Sequence, residues 1–310
     1  MKKVVVTGGA GFIGSHLAED LYGRGYRVFI IDNLSTGKLS NIKSLLDSGA
    51  VELVKGSITN LALLRKLFAG AEYVFHQAAL PSVPRSIKDP VSSHRVNATG
   101  TLNVLIAARD CGVKKVVYAS SSSVYGDTPT LPKSEDMIPS PLSPYAVTKL
   151  AAEHYCRIFE RVYGLKTVCL RYFNVYGPRQ DPDSPYAAVI PLFFRLVMEG
   201  KSPVIYGDGE QSRDFTFVRD AARANILAAE SEATGVFNLG SNRRVTISEL
   251  ARLIIGLAGD KSIAPEYRAP RPGDIKHSLA DISRAMAFGY RPEYSLEKGL
   301  GEIYRSLNKR

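Results

Sequence analysis

The 310-residue chain is predicted to adopt an α/β fold, a doubly wound parallel sheet with a smaller α/β C-terminal lobe. Three observations predict it. Short β-branched apolar runs alternate with amphipathic helical stretches from Met1 to about Arg171. A glycine-rich turn joins the first run to the first helix, and past Gly177 the texture changes to loops, turns and a Pro-rich segment. Parallel strands need long crossovers, which helices supply in right-handed units, so this alternation implies helices on both faces of one sheet.

Taken in order, strands are expected at Lys3–Thr7, Arg27–Asp32, Val51–Lys55, Glu72–His76, Val116–Ser120 and Thr167–Arg171. Helices are expected between them at Phe12–Gly23, Leu61–Phe68, Val96–Cys111 and Tyr145–Tyr163. Beyond Gly177 the pattern gives a helix at Val189–Met198, a turn at Gly207–Gly209 and a helix at Val218–Ala229. A strand at Val236–Gly240 is placed to return to the main sheet. A final helix at Ile247–Leu257 and the Pro-rich stretch Ala264–Gly273 complete the second lobe.

Composition removes several function classes. The 40 Lys and Arg exceed the 30 Asp and Glu, giving a net charge of +10, but the basic residues are scattered and Trp is absent, so no nucleic-acid partner is expected. No apolar run approaches the roughly 20 residues of a membrane span, so no membrane partner is expected either. Cys111, Cys156 and Cys169 lie far apart without metal or redox spacing, which fits reduced thiols and a cytoplasmic protein. The five histidines show no paired-ligand spacing, so no metal is expected and each reads as a helix-surface or strand residue.

Chemistry-bearing residues begin with Thr7-Gly8-Gly9-Ala10-Gly11-Phe12-Ile13-Gly14, directly after the first strand and opening the first helix. Gly8, Gly11 and Gly14 allow a tight turn whose N–H groups approach a pyrophosphate, and the helix N-terminus adds partial positive charge. Asp32 closes the second strand 18 residues after Gly14, where a carboxylate binds ribose hydroxyls and repels a 2′-phosphate. That favours NAD over NADP. Phe12, Ile13 and the following Asn33, Ser35, Thr36 and Gly37 are candidate cofactor contacts.

A second constellation starts at the end of the fifth strand, in Ser120-Ser121-Ser122-Ser123-Val124-Tyr125-Gly126. In Tyr145-Ala146-Val147-Thr148-Lys149 the first and last residues lie one helical turn apart on the same face. There an ammonium favours the phenolate and lowers the tyrosine pKa, giving a general base near neutral pH.

These motifs resemble the extended short-chain dehydrogenase/reductase superfamily, in its branch of NAD-dependent nucleotide-sugar epimerases and dehydratases. The segments carrying the resemblance are the glycine turn, Asp32, His76-Gln77-Ala78-Ala79, the serine segment, Tyr145 to Lys149, and Arg171-Tyr172-Phe173-Asn174-Val175-Tyr176-Gly177-Pro178-Arg179. The resemblance implies a Rossmann domain over 1–172 and 214–241 that binds NAD, and a UDP-sugar domain over 173–213 and 242–310. It implies that Ser121 hydrogen-bonds the reacting hydroxyl, Tyr145 transfers its proton, and Lys149 holds the nicotinamide ribose and tunes Tyr145. It further implies that Ile58, Gln77, Ala78, Ala79, Tyr172 and Val175 line the cofactor, with Asn97 a structural polar residue beside it. Ser57 departs from the family's usual Asp near the adenine.

For the reaction, the related 4,6-dehydratases carry Asp-Glu immediately after the catalytic serine or threonine, and here Ser122-Ser123 stand instead. Elimination then lacks its proton carriers, and return of hydride to the opposite face of a 4-keto sugar is expected: a 4-epimerase. UDP-glucuronate 4-epimerases share these serines and stay open, as do a net dehydrogenase and a silent NAD-binding protein. By the same resemblance Arg213 and Arg271 clamp the diphosphate, with Asn174, Ala188, Val189, Val204, Tyr206 and Asp274 nearby, and Ser82 and Val83 in the sugar loop. Ser122 and Ser123 join Ser121 as substrate contacts. Ser278, where members restricted to glucose and galactose often have Tyr, leaves room for an N-acetyl group. UDP-N-acetylglucosamine and UDP-N-acetylgalactosamine are therefore the expected pair, with UDP-glucose and UDP-galactose also accepted. The expected protein partner is a second copy, paired through the helices Val96–Cys111 and Tyr145–Tyr163.

Overall fold

A computed structural model describes residues 1–183, 188–259, 262–270 and 276–308. The strands are β1 (Lys3–Thr7), β2 (Arg27–Asp32), β3 (Val51–Lys55), β4 (Tyr73–His76), β5 (Lys115–Ser121), β6 (Lys166–Tyr172), β7 (Val175–Tyr176), β8 (Val204–Tyr206), β9 (Ser212–Arg213), β10 (Thr216–Phe217), β11 (Gly235–Leu239), β12 (Val245–Thr246) and β13 (Glu266–Arg268). The helices are α1 (Phe12–Gly23), α2 (Lys43–Asp47), α3 (Leu61–Phe68), α4 (Val83–Lys88), α5 (Pro90–His94), α6 (Gly100–Asp110), α7 (Pro144–Tyr163), α8 (Val189–Met198), α9 (Val218–Glu230), α10 (Ile247–Ala258), α11 (Ser283–Ala287) and α12 (Leu296–Leu307).

Seven strands form one parallel sheet in the order β11-β6-β5-β4-β1-β2-β3. The fold is the doubly wound α/β sheet expected from the alternation. The chain builds outward from β1 to β3, then returns to place β4 on the other side of β1. At that reversal the carboxyl ends of β1 and β4 open a crevice, the usual ligand position in such sheets. Both faces are covered: Val4 and Val6 of β1 enter one apolar cluster and Val5 the other. Burial on both faces explains why these strands read as continuous apolar runs.

β11 returns to the sheet beside β6, pairing Val236 with Cys169. A third apolar cluster lies outside the sheet, built from Tyr176, Phe193, Phe194, Phe217, Leu250 and Ile254 with their neighbours. Here the structure corrects the sequence reading. The helix at Ile247 is not the last, since α11 and α12 follow it, and α12 buries Leu300 and Ile303 in the third cluster. Part of the Pro-rich stretch is strand, because β13 pairs in parallel with β8. The expected helix at Val96 is the end of a longer helical run from Pro90, with a π-helical turn at Arg95–Thr99 leading into α6. That turn carries the buried Asn97 inward: its Oδ1 accepts from Leu80 N at 2.8 Å and its Nδ2 donates to Leu80 O at 3.1 Å.

Among the described residues no helix is long and apolar enough to cross a membrane, and no group of side chains is arranged to hold a metal.

Candidate active site

The glycine turn is dictated by close approach. Gly8 has φ +70°, and a Cβ there would lie 2.7 Å from Ala78 Cα. A Cβ on Gly14 would meet Gly8 O at 2.2 Å. Bare backbone is thus packed at the start of α1, whose N-cap Gly11 provides no side-chain cap and whose first turn carries no acid. N–H groups and partial positive charge are left to an anion, and these residues fit a dinucleotide pyrophosphate. Asp32 supports the same turn, accepting from Ala10 N at 3.0 Å and Leu34 N at 2.8 Å.

Two large cavities flank the ends of β1, β4 and β5. The cofactor cavity, about 900 Å³, is lined by the glycine turn, Asp32, Asn33, Ser35, Thr36, Gly37, Ser57, Ile58, Gln77, Ala78, Ala79, Lys149 and Tyr172. Tyr172 is fixed by Asn225 Nδ2, which donates to its hydroxyl at 2.7 Å, and by Gln77 Oε1, which accepts from it at 3.1 Å. Two expected cofactor residues lie elsewhere. Asn97 sits behind the wall, spent on Leu80, and Val175 lines the second cavity, because β7 turns away from the sheet toward the other lobe.

The second cavity, about 940 Å³, is lined by Ser82, Val83, Ser121, Ser122, Ser123, Asn174, Ala188, Arg213 and Ser278 among others. Val189, Val204 and Tyr206 line a third, smaller cavity of about 290 Å³, which Asn174, Ala188 and Arg213 also border. Ser278 is fixed by its N–H donating to Ser212 O at 3.0 Å, and the next residue's carbonyl accepts from Lys133 N at 2.8 Å. Arg271 and Asp274 lie outside the described residues.

Tyr145 borders both large cavities, as does Ser120. Ser143 caps α7 and Pro144 begins it, which sets Tyr145 in the first turn at the strand ends. Ser121 lines the second cavity beside Tyr145 and lies close enough to lower its phenol. Lys149 Nζ donates to Ala119 O at 2.7 Å and stands 5.7 Å from the centre of the Tyr145 ring.

Electrostatics correct one expectation. Burial pushes the Tyr145 phenol up to about 12, against the lowering influence of Ser121. The phenol is therefore raised where a lowered one was expected, burial being the larger effect. Burial in turn lowers Lys149 to about 8, opposed by Glu153.

Two histidines are interior: His16 is buried on α1 rather than at its surface, and His76 ends β4 as a strand residue. His76 is lowered to about 3 by burial and bridges Thr7 and Thr101, and His16 is lowered to about 4, also chiefly by burial.

Other site residues were not singled out from sequence. Lys38 and Asp181 meet at 3.0 Å where both border the cofactor cavity. Lys133, 3% exposed, borders the second cavity. Glu153 is held by Arg171 and Ser120 beneath the Tyr145 face of α7. Only the four-residue spacing of Glu153 after Lys149 signalled it.

Residues 4–240 match the NAD dependent epimerase/dehydratase family. The structure of a UDP-N-acetylglucosamine 4-epimerase from Methanobrevibacter ruminantium, in complex with UDP-N-acetylmuramic acid, is 45% identical, covers 99% of this chain and 98% of its own, and has a TM-score of 0.96. A putative UDP-glucose 4-epimerase of Methanocaldococcus jannaschii is 38% identical over 97% of this chain and 96% of its own. A UDP-glucuronic acid 4-epimerase from Bacillus cereus, in complex with UDP-glucuronic acid and NAD, is 35% identical, with 99% of both chains covered and a TM-score of 0.91. The chain therefore belongs to the NAD-dependent epimerase/dehydratase family. Within it the chain falls among the nucleotide-sugar 4-epimerases, whose cofactor is NAD.

Proposed function

We propose that the chain interconverts UDP-N-acetylglucosamine and UDP-N-acetylgalactosamine by inverting C4 through a 4-keto intermediate, with UDP-glucose and UDP-galactose as further substrates. The observation that carries the reading is Tyr145 at the wall shared by the two large cavities, with Ser121 beside it on the wall of the second. Residues 1–172 and 214–241 hold the cofactor in this reading, and 173–213 with 242–310 hold the UDP-sugar.

Bound NAD supplies the acceptor for the C4 hydride and its donor on return. Gly8, Gly11 and Gly14 hold its pyrophosphate, Asp32 its ribose, and Lys149 the second ribose. Ser121 orients the C4 hydroxyl toward Tyr145, whose phenolate form takes the proton and later gives it back, so no proton is gained or lost overall. Ser122 and Ser123 carry no ionisable proton, which leaves the keto sugar without an acid–base pair for elimination. Ser278 is small, and the space it leaves admits an N-acetyl group while a plain hexose still fits.

A uronate substrate is the second reading. It is favoured by Lys133, a buried ammonium on the sugar cavity whose side chain contacts the Thr128 carbonyl.

We also propose a homodimer. Val147, Tyr155, Ile158 and Val162 form one exposed apolar stripe along α7, and Val91 of α5 is 76% exposed. The helices expected to pair were Val96–Cys111 and Tyr145–Tyr163, and this stripe lies on the second of them, with Val91 on α5 beside the start of the first. Sedimentation of the wild type against Ile158→Glu tests this, with a monomer expected only from the variant.

The test of function is an NMR assay of C4 inversion without added cofactor. Conversion of the N-acetyl sugar supports the full reading. Conversion of UDP-glucose alone removes the Ser278 argument, and conversion of UDP-glucuronate alone selects the second reading.

A further inference from the structure

Tyr145, Lys149 and Glu153 stand one helical turn apart along a single face of α7. Each neighbours one of three consecutive residues at the end of β5. Lys149 donates to the Ala119 carbonyl at 2.7 Å and Glu153 Oε1 accepts from Ser120 Oγ at 2.5 Å, while Ser121 lies close enough to Tyr145 to lower its phenol. A change in the register of α7 against β5 would disturb all three together.

The middle contact is the most heavily built. Arg171 Nε donates to Glu153 Oε1 at 2.9 Å and its Nη2 to Oε2 at 2.7 Å, with both side chains 4% exposed. Arg171 faces Ser120 across the β5–β6 register, and its guanidinium lies 4.7 Å from the Tyr125 ring centre. Burying two charges is costly, and apolar replacements of such pairs are often no less stable. Stability alone therefore does not account for this pair.

Ser120 gives it a route to the site. Its hydroxyl proton is committed to Glu153, so toward the two cavities it borders its oxygen is left as an acceptor.

We propose that Glu153 is a positioning residue for the proton-transfer step: through Ser120 and Arg171 it fixes the register that brings Tyr145 to Ser121 and Lys149 to Ala119, and it keeps a negative charge one turn beyond Lys149. The inference rests on Tyr145 being the proton carrier.

The charged surroundings of Lys149 agree with this. On α7 it faces Tyr145 and Glu153; β5 adds the Tyr118 ring at 5.0 Å and the Ala119 carbonyl. β4 adds His76, which is neutral at physiological pH. From β6 comes Arg171, already paired with Glu153. Glu153 is the group that raises Lys149 against burial. Removing its charge lets Lys149 lose its proton at lower pH.

The experiment compares holoenzyme with Glu153→Gln, following kcat, KM, NAD content and melting temperature from neutral to alkaline pH. The expected result is a fall in kcat of about tenfold with KM within about twofold. The alkaline limb of kcat moves down by about half a pH unit or more, and Glu153→Asp moves it back. Should Glu153→Gln fail to fold, Ser120→Ala leaves the ion pair intact. It is expected to lower kcat by about threefold or more with NAD content and melting temperature unchanged. An unmoved alkaline limb in Glu153→Gln, or an unchanged kcat in Ser120→Ala, overturns the proposal. Tyr145→Phe separates the two readings: full activity in that variant overturns the proton carrier itself, whereas an inactive Tyr145→Phe beside a normal Glu153→Gln overturns the positioning role alone.

Discussion

Lys149 gives its short contact to the Ala119 carbonyl, 2.7 Å away, and leaves 5.7 Å between its ammonium and the centre of the Tyr145 ring. The pair is thus linked by a shared strand end rather than by a direct bond. Ala119 anchors the ammonium and Ser121, two residues on, lowers the phenol. The cost of this arrangement falls on the fold, because the ammonium is buried without a carboxylate bonded to it.

That cost is measurable. Lys149 is lowered to about 8 from its ordinary 10.5, chiefly by burial. Between those values the unfolded chain binds more protons than the folded one, so this group makes stability rise with pH through that window and penalises the fold below it. Lys149→Met removes the buried charge, and its expected effect at pH 7 is a gain on the order of 1–2 kcal/mol with turnover lost. Chemical denaturation at pH 7 and at alkaline pH checks it. A destabilised variant at pH 7, or a gain that persists undiminished at alkaline pH, would contradict the argument.

Tyr145→Phe is expected to retain NAD and UDP-sugar binding and to lose turnover by about a thousandfold or more. The side chain keeps its place in the first turn of α7, whose cap bond from Ala146 N to Ser143 Oγ is independent of the phenol. Calorimetric binding beside an NMR rate assay reads both halves, and unchanged rates sink the mechanism.

Ser278→Tyr places a large ring in the sugar cavity. Because the segment is pinned to Ser212 and Lys133 by backbone bonds, the ring has little freedom to withdraw. Turnover of UDP-N-acetylglucosamine is expected to fall by about tenfold or more while that of UDP-glucose holds within about threefold. Equal losses on both sugars would show that Ser278 does not face the C2 substituent.

The sheet was legible in the sequence because β1, β2, β4, β5 and β6 are buried on both faces and bounded by glycine or polar turns. Asp32 and the glycine turn were legible because their chemistry is local, a few residues around one strand end. The short pairs β7–β10, β9–β12 and β8–β13 were not: two or three residues carry no periodicity. The stripe of α12, Leu296, Leu300 and Ile303, went unread because its partners Tyr176 and Phe217 lie far away in sequence. The buried Glu153–Arg171 pair was hidden for the same reason. A charged residue reads as surface until the strand that neutralises it is placed beside it.

The segment after Gly177 is fastened at three points, the last of them at the cofactor cavity. His16 Nε2 lies 2.9 Å from the Pro178 carbonyl, Arg179 meets Glu19 at 2.6 Å, and Lys38 meets Asp181 at 3.0 Å. A carbonyl only accepts, so neutral His16 carries its proton on Nε2. With His16 lowered to about 4, that bond is unaffected by pH near neutrality. Lys38 and Asp181 are partly exposed, at 52% and 36% for their side chains, so their bond contributes about 0.2–1 kcal/mol and weakens with salt. Asp181→Asn is therefore expected to speed NAD release by up to about fivefold at low ionic strength and less at high salt. Adding Lys38→Met to it should cause little further change, because the pair is already broken. Release followed by fluorescence of the reduced cofactor measures this. A rate that ignores both substitutions would mean that the ion pair, though it borders the cavity, does not hold the cofactor in it.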